Sequence, residues 1–167
     1  EFVRIGSYIA PNPDNISRLI DQCIQHYDGD QDVYFLERIV KFHLDFESIH
    51  PFCDGNGRIG RVLINMQLMQ MGFPKICIQF KDKRLYFDAF KVYQQTNNAR
   101  PMAQLFVRAL MESFHKRLAY LKGDTIIPLS DYAKRNDLSV HTTINKAKRQ
   151  TIPAFRERGR WKIGDND

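Results

Sequence analysis

The sequence predicts a mainly α-helical protein with a short β-hairpin at its start and a small basic helix-turn-helix with a wing at its end. Three observations support this fold class. Apolar residues recur at helical spacing through most of the chain. β-Branched and aromatic residues concentrate in residues 2–10 and again in residues 151–163. The apolar share of 43% is sufficient for a buried core.

The first half of the chain contains a hairpin-like segment and three predicted helices. Residues 2–10, FVRIGSYIA, have a strand-like composition around a Gly-Ser pair. The segment PNPDN then interrupts the chain, and Asp14 or Asn15 is the expected helix cap. Helical spacing of apolar residues predicts helices over about residues 16–27, 33–48 and 58–71.

The apolar stripe of each predicted helix indicates which side chains should be buried. For the first helix these are Ile16, Leu19, Ile20, Cys23, Ile24 and Tyr27. For the second helix they are Leu36, Ile39, Val40 and Leu44. For the third helix they are Val62, Leu63, Met66 and Met69.

The second half begins with an extended segment, KICIQF, and two predicted helices over about residues 84–95 and 101–122. Pro128 marks a boundary. After it, the pattern predicts two short helices joined by a turn at residues 136–138, with Ser139 as the N-cap of the second. A small hairpin turning at Arg158-Gly159 ends the chain.

The formal net charge of +6 is concentrated near the end of the chain. Residues 131–163 contain nine Lys or Arg against three Asp or Glu, so the remainder is neutral. Such a basic block suggests an acidic partner, most simply nucleic acid. A solvated cationic surface explains the charge equally well.

The cysteines and the apolar runs bear on the cellular compartment. The three cysteines lack a CxxC spacing, which favours reduced thiols in a cytoplasmic protein. The longest apolar runs are too short to cross a bilayer, and the N-terminus has no signal-peptide pattern. We therefore expect a cytoplasmic location and no membrane partner.

The stretch IHPFCDGNGRIGR, residues 49–61, concentrates residues with special chemistry between two predicted helices. Gly55-Asn56-Gly57 comes just before a helix, so backbone N–H groups and the helix N-terminus together favour a bound phosphate. Arg58 and Arg61 are three residues apart on the first turn. Two guanidinium groups beside one anion site suggest a di- or triphosphate.

Two further side chains of this loop suggest a reaction. Asp54 stands where Mg²⁺ would take one protein carboxylate beside the phosphates. His50 can accept a proton from an attacking hydroxyl, because histidine commonly serves as a general base. Each residue alone has an ordinary structural explanation. Their density in one loop favours phosphate-ester transfer.

The segment HPFCDGNGRIGR resembles the signature of Fic-domain proteins, HxFx[D/E]GNGRxxR. The similarity covers about residues 2–122. It implies a Fic-type helical bundle with a hairpin flap over residues 1–123 and a separate tail over residues 128–164. All fixed positions of the signature match: His50, Phe52, Asp54, Gly55, Asn56, Gly57, Arg58 and Arg61.

The resemblance also implies an activity. Fic domains mostly transfer AMP from ATP to a Tyr, Thr or Ser hydroxyl of a target protein and release pyrophosphate. Carried onto this sequence, His50 would be the catalytic base and Asp54 would bind Mg²⁺. Phe52 would anchor the loop in the core. The chain itself is included among the expected targets.

The phosphate contacts follow in the same way. The amides of residues 55–57 and the Asn56 side chain would hold the α- and β-phosphates. Arg58 and Arg61 would neutralise the leaving pyrophosphate. A related group of Fic kinases carries lysine at the second glycine of the motif, and Gly57 favours the AMP transferases over that phosphotransferase alternative.

Two further binding regions are implied by the resemblance. The flap would hold a target segment by strand addition through Ile5, Gly6, Ser7, Tyr8 and Ile9. Adenine would bind the helix after the motif, where aromatic faces can stack on a purine and an amide can bind its edge. The residues concerned are Tyr86, Phe87, Phe90 and Gln94, although Phe87 and Phe90 suit a core equally well.

Many Fic proteins carry an inhibitory helix with the pattern [S/T]xxxE[G/N], whose glutamate would pair here with Arg61. None of the Ser and Thr residues of this sequence has Glu four positions later. The inhibitory element is therefore expected upstream of Glu1, in a separate inhibitor chain, or not at all.

The tail resembles the winged helix-turn-helix of excisionase-like DNA-binding proteins. In that case residues 141–150 would be the recognition helix and Trp161 would pack the wing. This leaves a second function class open, a DNA-binding regulator whose Fic body senses nucleotide. The expected nucleic-acid contacts are Lys146, Lys148, Arg149, Arg156, Arg158 and Arg160.

Overall fold

The computed structural model describes residues 4–5, 8–79 and 82–165, which are mainly helical as predicted. They form two compact units. The first comprises residues 1–73 and 78–106, and the second comprises residues 74–77 and 107–167. The division between the two units falls inside the longest helix. No helix among the described residues is long and apolar enough to span a membrane.

The first unit begins with the predicted hairpin. Strands β1 (Arg4–Ile5) and β2 (Tyr8–Ile9) are antiparallel, with Arg4 opposite Ile9. Gly6 and Ser7, at the predicted turn, lie outside the described residues. The chain then enters a 3-10 helix (Pro13–Asn15) capped by Asn12, and Asn15 is the N-cap residue of the α-helix that follows, as expected, without a side-chain hydrogen bond. Asn12 Oδ1 accepts a hydrogen bond of 3.1 Å from the Asp14 N–H.

The helices of the first unit centre on the second one. Leu36, Ile39, Val40 and Leu44 are all buried, as predicted. The burial prediction for the first helix is right for Cys23 and wrong for Ile24, which is 46% exposed. The helix bounds are α1 (Ile16–Gly29), α2 (Phe35–Ile49), α3 (Asn56–Gln70), α4 (Lys83–Thr96) and α5 (Arg100–Lys122), the last of which continues into the second unit.

The buried face of α3 differs from the prediction. Val62, Met66 and Met69 are exposed by 65%, 44% and 51%, so the predicted stripe is wrong at these positions. α3 instead packs on α2 through a face that contains a glycine and two polar residues, which the apolar pattern could not mark. This buried face consists of Asn56, Gly60, Ile64, Gln67 and Leu68.

The second unit contains the two short helices and the hairpin that the sequence predicted, with Ser139 accepting a hydrogen bond from the Thr142 N–H. Strand β3 was not predicted, because Pro128 was interpreted as a boundary whereas it is the last residue of the strand. The sheet is antiparallel in the order β3-β5-β4. The elements are β3 (Thr125–Pro128), α6 (Leu129–Arg135), α7 (Val140–Lys148), β4 (Ala154–Glu157) and β5 (Arg160–Asp165).

Candidate active site

His50 is the residue at which α2 ends. Its N–H donates to the Phe46 carbonyl at 3.0 Å, and its φ of 53° places it in the left-handed region. This conformation turns the chain out of the helix and leaves the imidazole beside the loop. Nδ1 is buried without a partner among the described residues. Nε2 is therefore the ring nitrogen available to a ligand.

The Asn56 side chain fixes the loop. Its Oδ1 accepts from the Phe52 N–H at 2.9 Å, and its Nδ2 donates to the Phe52 carbonyl at 2.6 Å. Asn56 is only 2% exposed, and both polar atoms of its side chain are paired within the loop. The expected core anchor is wrong, because the Phe52 side chain is 47% exposed. The loop is held by a buried amide instead of a buried ring.

Gly55 begins α3 with a φ of 87°, a left-handed conformation that suits glycine. Its carbonyl accepts from the N–H groups of Arg58 and Ile59, each at 2.9 Å. No side chain in the described part of the chain caps this helix start. The first N–H groups of α3 therefore remain for a ligand, and they lie at the positive end of the helix dipole. This arrangement favours an anion.

A cavity of about 280 Å³, here called the loop cavity, is lined by residues of this loop and the start of α3. Arg58 Nη2 lies 2.9 Å from Asp54 Oδ2, and the two side chains are 75% and 90% exposed. Because exposed ion pairs are weak, both groups remain available to a ligand. The cavity is lined by His50, Cys53, Asp54, Gly55, Asn56, Gly57, Arg58 and Arg61, which brings together the predicted base, metal ligand and phosphate-binding residues.

The carboxylates near this cavity bear on a metal ion. The residues that the structure describes contain no group of three or more His, Cys, Asp or Glu side chains placed to hold a metal. Asp54 alone contributes a carboxylate to the cavity lining. Mg²⁺ is commonly held by one or two carboxylates together with substrate phosphates. The donor set therefore fits Mg²⁺ that arrives with a nucleotide.

A second cavity of about 330 Å³, here called the aromatic cavity, is lined in part by two aromatic residues of α4, Tyr86 and Phe87. Phe87 is 49% exposed at this cavity, whereas Phe90 is 7% exposed and belongs to the core. Phe90 is therefore removed from the predicted adenine site, and Gln94 is not part of the lining. Arg61 borders both cavities. The lining consists of Arg61, Ile78, Gln79, Lys83, Tyr86 and Phe87.

Behind the loop lies a group of polar side chains, here called the buried polar cluster: His43, Glu47 and Tyr86. The sequence interpretation assigned Tyr86 to the adenine site and missed His43 and Glu47. The Tyr86 hydroxyl lies 2.8 Å from His43 Nε2 and also hydrogen-bonds Glu47. His43 is 1% exposed and Glu47 is 8% exposed. The available signal was their spacing, because both fall on the apolar stripe of α2 that passes through Leu36 and Val40.

Burial shifts the pKa values of this cluster in opposite directions for acid and base. It raises the pKa of Glu47 to about 7, while the positive charge of Arg61 and the Tyr86 hydrogen bond act to lower it. It lowers the pKa of His43 to about 3, and Arg61 acts in the same direction. The pKa of Tyr86 is raised, mainly by burial. His43 and Tyr86 are therefore neutral near pH 7.

The family comparison agrees with this geometry. The Fic/DOC family model matches residues 3–68, from the hairpin through most of α3. Residues 3–68 are thus similar to a Fic/DOC domain. A solved Fic domain containing signaling protein from Bacteroides thetaiotaomicron has a similar fold, with a TM-score of 0.68 at 24% identity over 74% of this chain and 54% of that chain.

Curated relatives resemble the Fic domain at modest identity. The protein adenylyltransferase Fic of Culex quinquefasciatus is 32% identical over 120 residues, which are 70% of this chain and 23% of that protein. The protein of the same name from Nematostella vectensis is 36% identical over 101 residues, 59% of this chain and 22% of that protein. The chain thus spans about a quarter of the length of these relatives.

The basic residues of the tail lie outside the region that matches the Fic/DOC family model, and they differ in their exposure to solvent. Arg156 is not available to nucleic acid, because its Nη2 lies 2.7 Å from Glu112 Oε2 and its side chain is 9% exposed. It also lies 5.0 Å from the centre of the Trp161 ring. Lys146, Lys148, Arg149, Arg158 and Arg160 are exposed.

Proposed function

We propose that this Fic domain is a protein adenylyltransferase, which transfers AMP from ATP to a hydroxyl side chain of a target protein. The observation that carries the proposal is the loop cavity, where a histidine, a carboxylate, an uncapped helix start and two guanidinium groups meet. The adenylyltransferase name of the relatives points the same way. Targets include Tyr, Thr or Ser hydroxyls, including those of the chain itself.

In this proposal the chemistry is an in-line displacement at the α-phosphorus. His50 Nε2 accepts the proton of the target hydroxyl, whose oxygen forms the new bond to phosphorus. The bond from the α-phosphorus to the bridging oxygen breaks, and pyrophosphate leaves with the electron pair. The N–H groups of α3 and the guanidinium groups of Arg58 and Arg61 stabilise the negative charge on the phosphates.

Asp54 is the residue that would hold Mg²⁺ beside the phosphates, and the ion would supply charge neutralisation when bound. Arg58, its partner in the exposed ion pair, is then free for a phosphate oxygen. The exchange costs little because the pair is already solvated.

Adenine is assigned to the aromatic cavity, since it adjoins the loop cavity at Arg61. The exposed ring of Phe87 offers a stacking face. Tyr86 contributes apolar surface while its hydroxyl stays in the buried polar cluster. The flap strands β1 and β2 would hold the target segment by strand addition.

Transfer of label from ATP tests the proposal directly. With Mg²⁺, label on the α-phosphate should appear on protein, whereas label on the γ-phosphate should not. His50→Ala should abolish transfer and retain ATP binding, and His26→Ala, at an exposed histidine of α1, is the matched control. Transfer of γ-label would instead support a phosphotransferase. Transfer by His50→Ala at the parental rate would refute the role of His50.

A second candidate function rests on the exposed cations of α7 and the terminal hairpin. These side chains fit a nucleic-acid backbone, and the tail would then act as a winged helix-turn-helix in a DNA-binding regulator. Affinity for duplex DNA that falls steeply with salt would support it. Binding that does not depend on salt would contradict it.

A separate inhibitor chain or an upstream inhibitory helix is proposed as the control on activity. Comparing the activity of the isolated chain with that of longer versions tests this proposal.

A further inference from the structure

Glu47 is a buried carboxylate that lies outside the Fic motif. It belongs to the last turn of α2, three residues before His50, and is 8% exposed. Its Oε1 has no hydrogen-bond partner among the described residues. Leaving a carboxylate oxygen buried and unpaired is costly. A nearby positive charge can offset part of this cost.

Arg61 carries a positive charge near Glu47. A Cβ placed on Gly57 would lie 3.2 Å from Arg61 Nη1 and 3.8 Å from Glu47 Oε1. Both groups therefore approach the same point on the first turn of α3. The positive charge of Arg61 acts to lower the pKa of Glu47, which is the electrostatic sign of the same proximity.

The carboxylate is held in place on its other sides. Tyr86 hydrogen-bonds it and is itself fixed by the 2.8 Å contact to His43. Gly60 provides the space, because a Cβ at this position would lie 2.6 Å from Glu47 Oε1. Glu47 therefore has little freedom to move, and a fixed charge can orient a mobile one.

We propose that Glu47 is a positioning residue, which orients the Arg61 guanidinium at the junction of the loop cavity and the aromatic cavity. The inference deepens the proposed function, since the phosphates of ATP beyond the first are what Arg61 would bind. Loss of the charge leaves the guanidinium free to adopt several rotamers, and binding then requires its ordering. The loss should affect ATP and spare AMP, which lacks those phosphates.

Glu47→Gln tests this assignment, because it removes the charge and keeps the shape and the hydrogen-bonding capacity toward Tyr86. In calorimetric titrations with Mg²⁺ at about pH 8.5, above the pKa of about 7 that burial gives Glu47, we expect about tenfold weaker ATP binding, as for coupled charged groups, and unchanged AMP binding. Glu37→Gln, on the exposed first turn of α2, is the matched control and should change neither affinity. Equal weakening of ATP and AMP binding would indicate a merely structural role and overturn the proposal.

A double-mutant cycle tests whether Glu47 acts through Arg61. In an Arg61→Ala background, Glu47→Gln should change ATP affinity by less than about twofold, since the side chain that it orients is gone. A full effect in that background would overturn the proposal. Glu47→Asp retains the charge and should recover part of the ATP affinity that Glu47→Gln loses.

A readout without nucleotide separates this inference from the proposed function. The side-chain Nε–Hε NMR signal of Arg61, assigned with Arg61→Lys, should be sharp and distinct in the parent and averaged in Glu47→Gln. If the parent binds no ATP, the proposed function fails while this signal still tests Glu47. An Arg61 signal that is identical in folded parent and folded Glu47→Gln would refute the positioning role.

Discussion

Asn56 and Phe52 exchange two hydrogen bonds across the active-site loop, one of 2.9 Å to Oδ1 and one of 2.6 Å from Nδ2. The amide satisfies both backbone groups of Phe52 and is itself almost fully buried. A buried side chain with both polar atoms paired admits one loop geometry and penalises others. The asparagine of the motif thus serves the shape of the phosphate site more than its direct contacts.

Asn56→Asp should open the loop. The carboxylate can still accept from the Phe52 N–H but cannot donate to the Phe52 carbonyl, so two buried acceptors face each other. We expect a loss of about 1–3 kcal/mol in the free energy of unfolding. Denaturant titration measures it, with Gln25→Glu on the exposed face of α1 as the control. Equal stability of both variants would show that the pair is not structural.

Gly60→Ala should destabilise the protein. The added methyl group would meet Glu47 Oε1 at 2.6 Å and the His43 ring at 3.0 Å. Both side chains are buried, so the helices must separate, at a cost of about 1–3 kcal/mol. Gly29→Ala is the control, since no atom lies within 4 Å of a Cβ there. Thermal unfolding of the two variants should differ in direction, with Gly29→Ala neutral or slightly stabilised.

Glu47 should make stability depend on pH. Burial raises its pKa from 4.5 to about 7. Because its pKa is higher in the folded state, the contribution of protonated Glu47 to the free energy of unfolding is fully present below the unfolded-state pKa of 4.5. This contribution is lost as the pH rises through 7. Relative to Glu47→Gln, the parent should therefore lose up to about 3 kcal/mol between about pH 5 and pH 8.

The neighbouring groups determine how this pH measurement is designed. His43 has the opposite dependence, because its lowered pKa costs stability as the pH falls below 6.5. Both proteins retain His43, so its effect cancels in the difference. Tyr86 does not titrate in this range, because burial raises its pKa. A difference in unfolding free energy that stays constant with pH would contradict the assigned state of Glu47.

Substitutions of Arg156 and Arg158, both in the second unit, should distinguish a residue needed for stability from a residue needed for nucleic-acid binding. Arg156→Ala removes the guanidinium that pairs with Glu112 at 2.7 Å and should cost about 1–3 kcal/mol in unfolding free energy. Arg158→Ala should leave stability within about 0.5 kcal/mol. It should also lower the salt slope of duplex binding by about one, because Arg158 is exposed on the hairpin turn. Unchanged DNA binding in Arg158→Ala would remove this residue from the interface.

The sequence was informative where local signals and tertiary structure agree. The motif residues from His50 to Arg61 could be predicted to meet, because a short loop between two helices keeps them together. The turn at Arg158-Gly159 followed from its residue types, and both residues have positive φ. These features depend on neighbours in the chain.

Features that depend on tertiary contacts could not be predicted in the same way. The exposed stripe of Val62, Met66 and Met69 satisfies helical spacing as well as the buried face does. The choice is made by Gly60, which lets α3 approach α2 closely. Glu47 and Tyr86 are 39 positions apart in sequence, so no local pattern joins them. Polar residues on an apolar stripe were the one available hint.

The backbone of His50 sets a limit on engineering this protein. Histidine adopts the left-handed backbone conformation less readily than glycine or asparagine. Either replacement at position 50 should lower the conformational strain by about 1 kcal/mol. A search for more heat-resistant variants would therefore select replacements at the very position that carries the proposed base. Selection for stability and selection for activity would favour different residues at position 50. A library screened for stability alone should therefore be enriched in inactive variants.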